Sequence, residues 1–366
     1  MILINKFVKK KFLFFKKKKY QYIEKDCEIC ESKDHHVFQN IGKVGLKPGS
    51  YGYLPISICK NCGHKFLSPR FSNKYYKRFY EEEYGKIPFK KIKPSEHYIN
   101  LQKQRGENSF NYFSKKLKLK NNGKILDHGA ATGLFLLPWK EKGWDCYGIE
   151  PHKASVKYAK TIGLNVKCGY GEKLPFKNNL FDVVISMGSF EHAYDLNKTF
   201  EEFHRTLKNN GKLILRWRSD KLLGSPLEYY NQITYRYFSK KTLINLFIKH
   251  NFKFIADIKK KIEGYDTFEY IVCKKIIVKH KTNYKKINIK NFLTNNSSYA
   301  KKYFLICSKI KKLNKNINIE DKFNFIKKNK LGLMNIGRSK SVNRVFFEMK
   351  NYLIALKKFS VINERK

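Results

Sequence analysis

Apolar and polar positions alternate with two different periods along residues 120–275. Apolar runs at 124–128, 145–151 and 181–189 have the length of buried strands, and residues 239–250 repeat apolar positions at helical spacing. Strands that alternate with amphipathic helices indicate βαβ units, which form a parallel sheet covered by helices. We therefore predict an α/β domain over residues 120–278.

Four further stretches differ from this domain in composition. Residues 25–75 are dense in turn residues and predict a small module of short strands, and residues 76–119 predict a helical linker. Residues 1–24 form a basic N-terminal extension, and residues 279–366 are basic with apolar residues at helical spacing. The last stretch is therefore predicted to be a basic, mainly helical C-terminal region.

The charge balance is strongly basic, with 77 Lys and Arg against 30 Asp and Glu and a net charge of +47. A field of this sign attracts nucleic acid or an anionic membrane surface, so both are candidate partners. Most of the basic residues are Lys, whereas proteins that bind phosphate usually recruit the bidentate Arg. Because Asn and Ile are also abundant, compositional drift is favoured over dedicated nucleic-acid binding.

The longest apolar runs are far shorter than the roughly 20 residues that a membrane-spanning helix needs. Lysines interrupt the apolar N-terminal stretch, which argues against a secretory signal. We therefore expect a cytoplasmic protein.

Two cysteine pairs, Cys27 with Cys30 and Cys59 with Cys62, have the CxxC spacing of metal-binding knuckles. Four thiolates at tetrahedral angles satisfy Zn²⁺, and Gly63 allows the tight turn after the second pair. Disulfides are disfavoured in a cytoplasmic chain, and a redox CxxC would not require a second copy. We expect a structural zinc ion in a ribbon-like module that folds separately from the α/β domain.

A glycine-containing turn follows the first predicted strand of the α/β domain, in the segment KILDHGAATG. Gly129 permits a sharp turn and close approach of a ligand, and Gly133 permits close packing of the next helix. Glu150 ends the second predicted strand, where a carboxylate can accept hydrogen bonds from two ribose hydroxyls. Together these residues indicate a nucleotide-containing cofactor.

The segments LDHGAATG, GIEP, GEKLPF, FDVVISMGSFEHAYD and EFHRTLKNNGKLIL occur in an order that resembles the class I S-adenosylmethionine-dependent methyltransferases. With CEIC and CKNCGHKFLSPR before them, they are similar to the subgroup that carries an N-terminal zinc-binding module, often found in glycan or metabolite biosynthesis. The resemblance covers residues 25–275. It implies a Rossmann-like, mostly parallel sheet whose last strand is antiparallel, with S-adenosylmethionine as cofactor.

The resemblance also implies the residues of the cofactor site. Asp127 and Gly129 correspond to the residues that hold the methionine part, and Glu150 corresponds to the ribose acid. Ala131 stands where the family usually has glycine, and Tyr170 stands where it usually has an aspartate that contacts adenine. The complete expected cofactor set is Asp127, His128, Gly129, Ala131, Gly133, Glu150, Tyr170, Gly171, Glu172 and Ser186.

Glu191 and His192 directly follow the fourth strand of the domain and are the candidate catalytic residues. A histidine titrates near neutral pH, so His192 is the candidate general base, and Glu191 either orients it or caps the next helix. The alternative is that both residues only form the wall of the cofactor pocket.

Residues 218–238 lie between the fifth strand and the next helix, where an insertion would overhang the strand ends. Sugar rings pack on aromatic side chains and Arg binds phosphate or carboxylate, so Tyr235, Arg236 and Tyr237 are candidate substrate-binding residues. The alternative is a lid that only excludes water.

The expected function is methyl transfer from S-adenosylmethionine to a sugar, glycan, nucleotide-sugar or related small metabolite. Two alternatives are an RNA-acting methyltransferase, suggested by the charge, and a non-catalytic basic scaffold that retains the fold.

Overall fold

The computed structural model describes residues 22–43, 51–84, 94–120, 122–218, 231–258, 262, 269–277, 284, 286–291, 318, 320–321 and 324. The predicted N-terminal extension and the predicted basic C-terminal region lie almost entirely outside these residues. Among the residues described, no helix combines the length and the apolar character that crossing a membrane requires.

The N-terminal part is built from strands, which are β1 (Tyr22–Ile23), β2 (His35–Lys43), β3 (Tyr51–Cys59), β4 (Lys65–Leu67) and β5 (Arg70–Phe71). Of these, β1, β4 and β5 are short, whereas β2 and β3 have nine residues each, longer than the turn-rich sequence of this part predicts. A strand from far along the chain, β11 (Arg236–Tyr237), joins them by pairing antiparallel with β4. Within the described residues this sheet has four strands in the order β11-β4-β3-β2, and β1 pairs separately with β5.

Where the structure describes the chain, every strand of the larger sheet lies within residues 120–278, the range of the predicted α/β domain. Its strands are β6 (Lys124–His128), β7 (Asp145–Glu150), β8 (Asn165–Cys168), β9 (Phe181–Met187), β10 (Leu207–Trp217), β12 (Phe252–Ile258) and β13 (Glu269–Lys275). Their order is β12-β13-β10-β9-β6-β7-β8 in the described part of the chain. The pairs from β8 to β10 are parallel, and β13 is antiparallel to both neighbours. The strand order reverses between β6 and β9, and ligands of such sheets lie outside the carboxyl ends of the strands at that point.

The helices of the described residues bury apolar side chains in the core. They are α1 (Asn73–Arg78), α2 (Glu96–Lys116), α3 (Leu137–Glu141), α4 (Lys153–Thr161), α5 (Leu196–Thr206) and α6 (Lys240–Lys249). A π-helical turn at Phe79–Glu83 extends α1, and single 3₁₀ turns lie at Leu134–Leu136 and Phe190–His192. Hydroxyl and carboxylate caps begin three of the helices: Ser95 for α2, Asp195 for α5 and Ser239 for α6.

The hydrophobic core is shared between the two sheets. One cluster of buried residues contains Cys59 and Phe66 of the N-terminal part together with Phe190, Phe200 and Phe247 of the larger domain. The stretch predicted as a linker is also packed, because Phe113 of α2 is completely buried against the larger sheet. The N-terminal part and the α/β domain are therefore joined by continuous packing.

Candidate functional site

The turn after β6 has the close backbone approach that its glycines predict. Gly129 has a φ of +80°, and a Cβ atom placed there would lie 2.2 Å from the Ser189 Oγ. Gly133 has a φ of +73°, and a Cβ there would lie 2.8 Å from the Leu164 side chain. Both positions therefore require glycine: Gly133 allows close packing, and Gly129 leaves a cradle at the carboxyl end of β6 that a side chain would fill.

Glu150 lies at the end of β7 beside this turn, as predicted. Its Oε2 accepts a hydrogen bond from the Ala131 N–H at 3.0 Å, and its Oε1 accepts one from the His152 N–H at 2.9 Å. Burial raises the pKa of Glu150, while these two backbone donors oppose that rise. The carboxylate is thus held in place next to the cradle, where it can accept from a ribose.

Three more of the predicted cofactor residues lie together beneath the turn. The His128 Nδ1 is 3.0 Å from the Ser186 Oγ, and a Cβ on Gly171 would lie 2.3 Å from the His128 Nε2. Burial lowers the pKa of His128 to about 4, so its imidazole is neutral at pH 7. Asp127, also buried, pairs with Gly148 of β7 and Ile185 of β9 in the centre of the sheet.

Tyr170 and Glu172 have partners that the sequence did not reveal. The Tyr170 hydroxyl donates a hydrogen bond of 2.5 Å to Glu81 in the π-helical turn, and the Lys77 Nζ lies 5.5 Å from the Tyr170 ring. The Glu172 Oε1 accepts hydrogen bonds from the Tyr194 and Asp195 N–H groups, at 2.8 and 3.1 Å. Glu172 therefore fixes the loop that follows the Phe190–His192 turn.

Glu191 and His192 lie on this turn at the carboxyl end of β9, where Glu191 is buried and His192 is half-buried. Among the described residues the Glu191 Oε2 has no hydrogen-bonding partner, and burial raises the pKa of Glu191 to about 7. The His192 Nδ1–H donates to the Ile233 carbonyl oxygen at 2.7 Å, and burial lowers the pKa of His192 to about 4. The pair therefore combines a carboxyl group that is protonated in part at neutral pH with a neutral imidazole.

Tyrosines from residues 79–98 cover the same edge of the sheet, and sequence reasoning missed them. The Tyr80 hydroxyl donates to the Ile233 carbonyl at 3.0 Å, and its ring centroid is 6.2 Å from that of His192. Tyr98 forms a hydrogen bond with the Thr132 side chain, and burial raises its pKa. Tyr84 is 41% exposed. Its pKa is raised, mainly by partial burial and to a smaller extent by the negative charge of Glu150. The dense run of tyrosines between 75 and 98 was the available signal.

The expectation for Tyr235, Arg236 and Tyr237 requires correction, because all three are buried between the two sheets and none lies on an open surface. The Arg236 Nε donates to the Glu28 carboxylate at 2.7 Å, and its other nitrogens bond the Ala193 and Tyr194 carbonyl oxygens. A guanidinium that is engaged in this way has no hydrogen left for an acceptor. These residues connect the N-terminal sheet to the loop after His192.

The four cysteines converge as their spacing predicts. The sulfur atoms of Cys27, Cys30, Cys59 and Cys62 all lie within 4.8 Å of one another. The Cys27–Cys62 and Cys30–Cys59 sulfur pairs are each 3.5 Å apart. Sulfur atoms about 3.8 Å apart surround a tetrahedral ion that has Zn–S bonds of about 2.3 Å. The donor set and its spacing therefore fit a Zn²⁺ ion.

Comparison with known proteins identifies the domain that holds the cofactor residues. The sequence profile of a methyltransferase domain matches residues 126–215, from β6 to β10. An uncharacterised protein of Methanocaldococcus jannaschii is 32% identical over 175 residues, which are 44% of this chain and 83% of that protein.

Two further similarities are to named methyltransferases. The sterol 4-C-methyltransferase of Caenorhabditis elegans is 30% identical over 112 residues, which are 28% of this chain and 34% of that enzyme. The crystal structure of an S-adenosylmethionine-dependent methyltransferase from Mesorhizobium loti matches 47% of this chain and 100% of that chain, at 13% identity and a TM-score of 0.40. The profile match, the strand order and the glycine turn agree, and the chain belongs to the class I S-adenosylmethionine-dependent methyltransferases.

Proposed function

We propose that the protein transfers a methyl group to a sugar, glycan, nucleotide-linked sugar or related small metabolite. The observation that carries this proposal is the pair of Glu191, which is buried, and His192, which is half-buried and packs beside the Tyr80 ring at the strand ends. A site that is covered in this way excludes water and favours an acceptor that is small or that enters by one end.

The cofactor residues fit S-adenosylmethionine, which supplies an electrophilic methyl group when it is bound. The Gly129 turn would leave room for its amino-acid part, and Glu150 would accept hydrogen bonds from its ribose hydroxyls. Ala131 adds a methyl group to this turn, which narrows the space beside Glu150.

The acceptor side of the site is supported by the protonation states of Glu191 and His192. Because the Nδ1–H of His192 is donated to Ile233, the lone pair of the imidazole is on Nε2 and is able to receive the proton of an acceptor hydroxyl. Arg216 and Arg218 act electrostatically on Glu191, and a guanidinium suits the phosphate of a nucleotide-linked sugar. A base for a hydroxyl group together with nearby guanidinium groups supports a sugar or nucleotide-linked sugar as the acceptor.

A structural zinc ion held by Cys27, Cys30, Cys59 and Cys62 completes the proposal. Four thiolates close the coordination shell, so the ion would take no part in the chemistry. Its role would be to fix the two turns that carry the cysteines.

Calorimetric titration of the full chain with S-adenosylhomocysteine tests the cofactor site, with Glu150→Ala as the variant. A charge-assisted hydrogen bond contributes about 1.5–3 kcal/mol, so we expect affinity to fall roughly 10- to 150-fold. The matched control is Glu141→Ala, which changes an exposed carboxylate at the far end of α3. Equal affinity of Glu150→Ala and wild type would remove Glu150 from the site.

The acceptor class is tested by incubating the protein with labelled S-adenosylmethionine and either nucleotide sugars or RNA. Label transferred to the sugars supports the proposal. Label transferred only to RNA, with binding that weakens steeply as salt is added, would replace it with the nucleic-acid alternative that the +47 charge suggests.

A further inference from the structure

Glu28 lies in the turn between Cys27 and Cys30, yet its side chain serves the methyltransferase domain. The Glu28 carboxylate accepts hydrogen bonds from Arg236, with 2.7 Å between the Arg236 Nε and the Glu28 Oε2. The Arg70 Nη1 is 3.5 Å from the same oxygen. The exposed fractions of the side chains are 13% for Glu28, 1% for Arg70 and 0% for Arg236. One carboxylate therefore holds two buried guanidinium groups.

Other N–H groups of the two arginines donate to the loop that follows His192. Arg236 donates to the carbonyl oxygen of Ala193 and, at 3.2 Å, to that of Tyr194. Arg70 donates to the same Tyr194 oxygen at 2.7 Å. These peptide groups are one and two residues beyond His192, so the arginines fix the chain where the candidate catalytic turn ends.

Two further contacts connect the N-terminal sheet with this turn. β11 belongs to that sheet, and the carbonyl oxygen that accepts the His192 Nδ1–H is that of Ile233, three residues before β11. The ring of Phe238, directly after β11, stacks on Phe190, which begins the turn, with 5.3 Å between centroids. The turn is thus held from both ends by residues whose positions depend on the N-terminal sheet.

Buried ion pairs contribute little net stability, because desolvation costs about as much as the attraction returns. However, a guanidinium that is fixed by a carboxylate presents its other N–H groups in a rigid plane. These N–H groups can therefore hold their acceptors in a defined orientation. The arrangement of Glu28, Arg70 and Arg236 is therefore better suited to orienting the turn than to stabilising the fold.

We propose that Glu28 is a positioning residue of the methyltransferase site, which orients Glu191 and His192 through Arg70 and Arg236. The cysteine module then has a part in methyl transfer that goes beyond holding a metal ion. This inference rests on the proposed function, since it takes Glu191 and His192 as the acceptor-side pair.

The test is the variant Glu28→Gln, compared with Glu31→Gln. Glu31 lies directly after Cys30, and its side chain is 76% exposed and pairs at 2.8 Å with Lys249. Both variants remove one carboxylate from the same cysteine turn, but only the first contacts Arg70 and Arg236. Zinc content and the thermal midpoint are measured for both, so that a general loss of the module is detected.

The decisive readout is the tautomer of His192, followed by multiple-bond ¹H–¹⁵N spectra of the full chain labelled in histidine. The signals are assigned with His192→Gln, and His128 serves as an internal reference. In the wild type we expect the Nδ1-protonated form, because Nδ1–H is donated to Ile233. In Glu28→Gln we expect the His192 ring signals to shift toward the average of the two tautomers, and in Glu31→Gln we expect no shift.

The double variant Glu28→Gln with Arg70→Gln covers the case in which the single variant does not fold. It restores the net charge of the buried cluster but lacks the bond from Arg70 to Tyr194, so a displaced His192 signal is expected in it as well. Wild-type His192 signals in a folded Glu28→Gln or double variant would overturn the proposal. If neither variant folded, the cluster of Glu28, Arg70 and Arg236 would be needed for stability alone, and the proposal would also be overturned.

The histidine readout requires neither cofactor nor acceptor. Failure of this inference is therefore distinguishable from failure of the proposed function, which the calorimetry with S-adenosylhomocysteine tests separately.

Discussion

Ala131 has a backbone conformation that non-glycine residues seldom adopt, with a φ of +48° between Gly129 and Gly133. The left-handed conformation costs an L-residue roughly 1–2 kcal/mol. The Ala131 N–H is donated to Glu150, so one hydrogen bond offsets part of this strain. The strained residue therefore lies directly beside the carboxylate that we expect to bind ribose.

Replacing Ala131 with glycine should remove this strain without removing the hydrogen bond. We expect Ala131→Gly to raise the free energy of unfolding by about 1 kcal/mol and to keep or strengthen the binding of S-adenosylhomocysteine. Ala130→Gly is the control, because Ala130 is buried and its Cβ packs against Gly148, so that change should lower stability. Denaturant titration measures both. If Ala131→Gly were less stable than the wild type, the backbone of Ala131 would not be strained.

The raised pKa of Glu191 predicts a pH-dependent effect on stability. Its pKa of about 7 in the folded state is above the usual value of about 4.3, so the folded state binds the proton more tightly than the unfolded state. The contribution of Glu191 to folding stability is therefore complete below about pH 4.3. It is lost as the pH rises through 7, because the buried carboxyl group must then ionise. Glu191→Gln, which stays neutral, should match the wild type near pH 4 and exceed it at pH 8 by up to about 3 kcal/mol.

Urea titrations at the two pH values measure this difference. Glu201→Gln is the control, since Glu201 is exposed on α5 and its replacement should leave the difference unchanged. Equal stability of Glu191→Gln and wild type at pH 8 would contradict burial of the ionised carboxylate.

At the scale of elements, α2 is packed against the methyltransferase domain more closely than a linker would be. A Cβ on Gly106 would lie 2.1 Å from the carbonyl oxygen of Phe135, in the 3₁₀ turn that follows Gly133. α2 also begins beside the cofactor turn, where Tyr98 bonds Thr132. The helix therefore supports the turn from outside and covers it at one end.

Gly106→Ala should force α2 away from this turn. Overpacking typically costs 1–3 kcal/mol, and here the obstacle is backbone, so we expect about 3 kcal/mol of destabilisation and weaker binding of S-adenosylhomocysteine. Asn108→Ala, at an exposed position of the same helix, should change stability by less than about 0.5 kcal/mol. Thermal melts and calorimetry of the two variants distinguish them. Wild-type behaviour of Gly106→Ala would show that α2 yields easily.

What the sequence predicted correctly depends on short-range patterns. β6 and β7 were recognisable because apolar runs, Gly129 and Glu150 lie within a few residues of each other. The partner of Arg236 was not recognisable, because Glu28 is 208 positions earlier in the chain. Tyr98 and Tyr84 were missed for the same reason, since only the folded chain brings them to the strand ends.

At the scale of the whole molecule, the shared core changes what loss of the metal should do. The sequence predicted that the cysteine module would fold separately, whereas Cys27, Cys59 and Phe66 belong to the same buried cluster as Phe190 and Phe247. A continuous core transmits a local loss of order to both parts.

Removing the proposed zinc ion should therefore destabilise the methyltransferase domain. All three tryptophans, Trp139, Trp144 and Trp217, are buried in that domain and report on it by fluorescence. With a strong chelator, or in Cys59→Ser, we expect the tryptophan transition to shift down by about 10 °C or more, since 1 kcal/mol corresponds to about 2–4 °C in a domain of this size. Cys168→Ser removes an exposed cysteine outside the cluster and should leave the midpoint unchanged. A tryptophan transition that is unaffected by the chelator would restore the two-module description.

The pairing of β11 with β4 has a consequence for how such a protein can be recombined. The chain leaves the large sheet after β10, contributes one strand to the small sheet and then enters α6. A chimera that exchanged only residues 22–71 for the cysteine module of a homologue would leave Arg236 and Tyr237 facing a foreign strand. A functional chimera would require residues 231–238 to be exchanged together with residues 22–71, so the two segments should be treated as one unit.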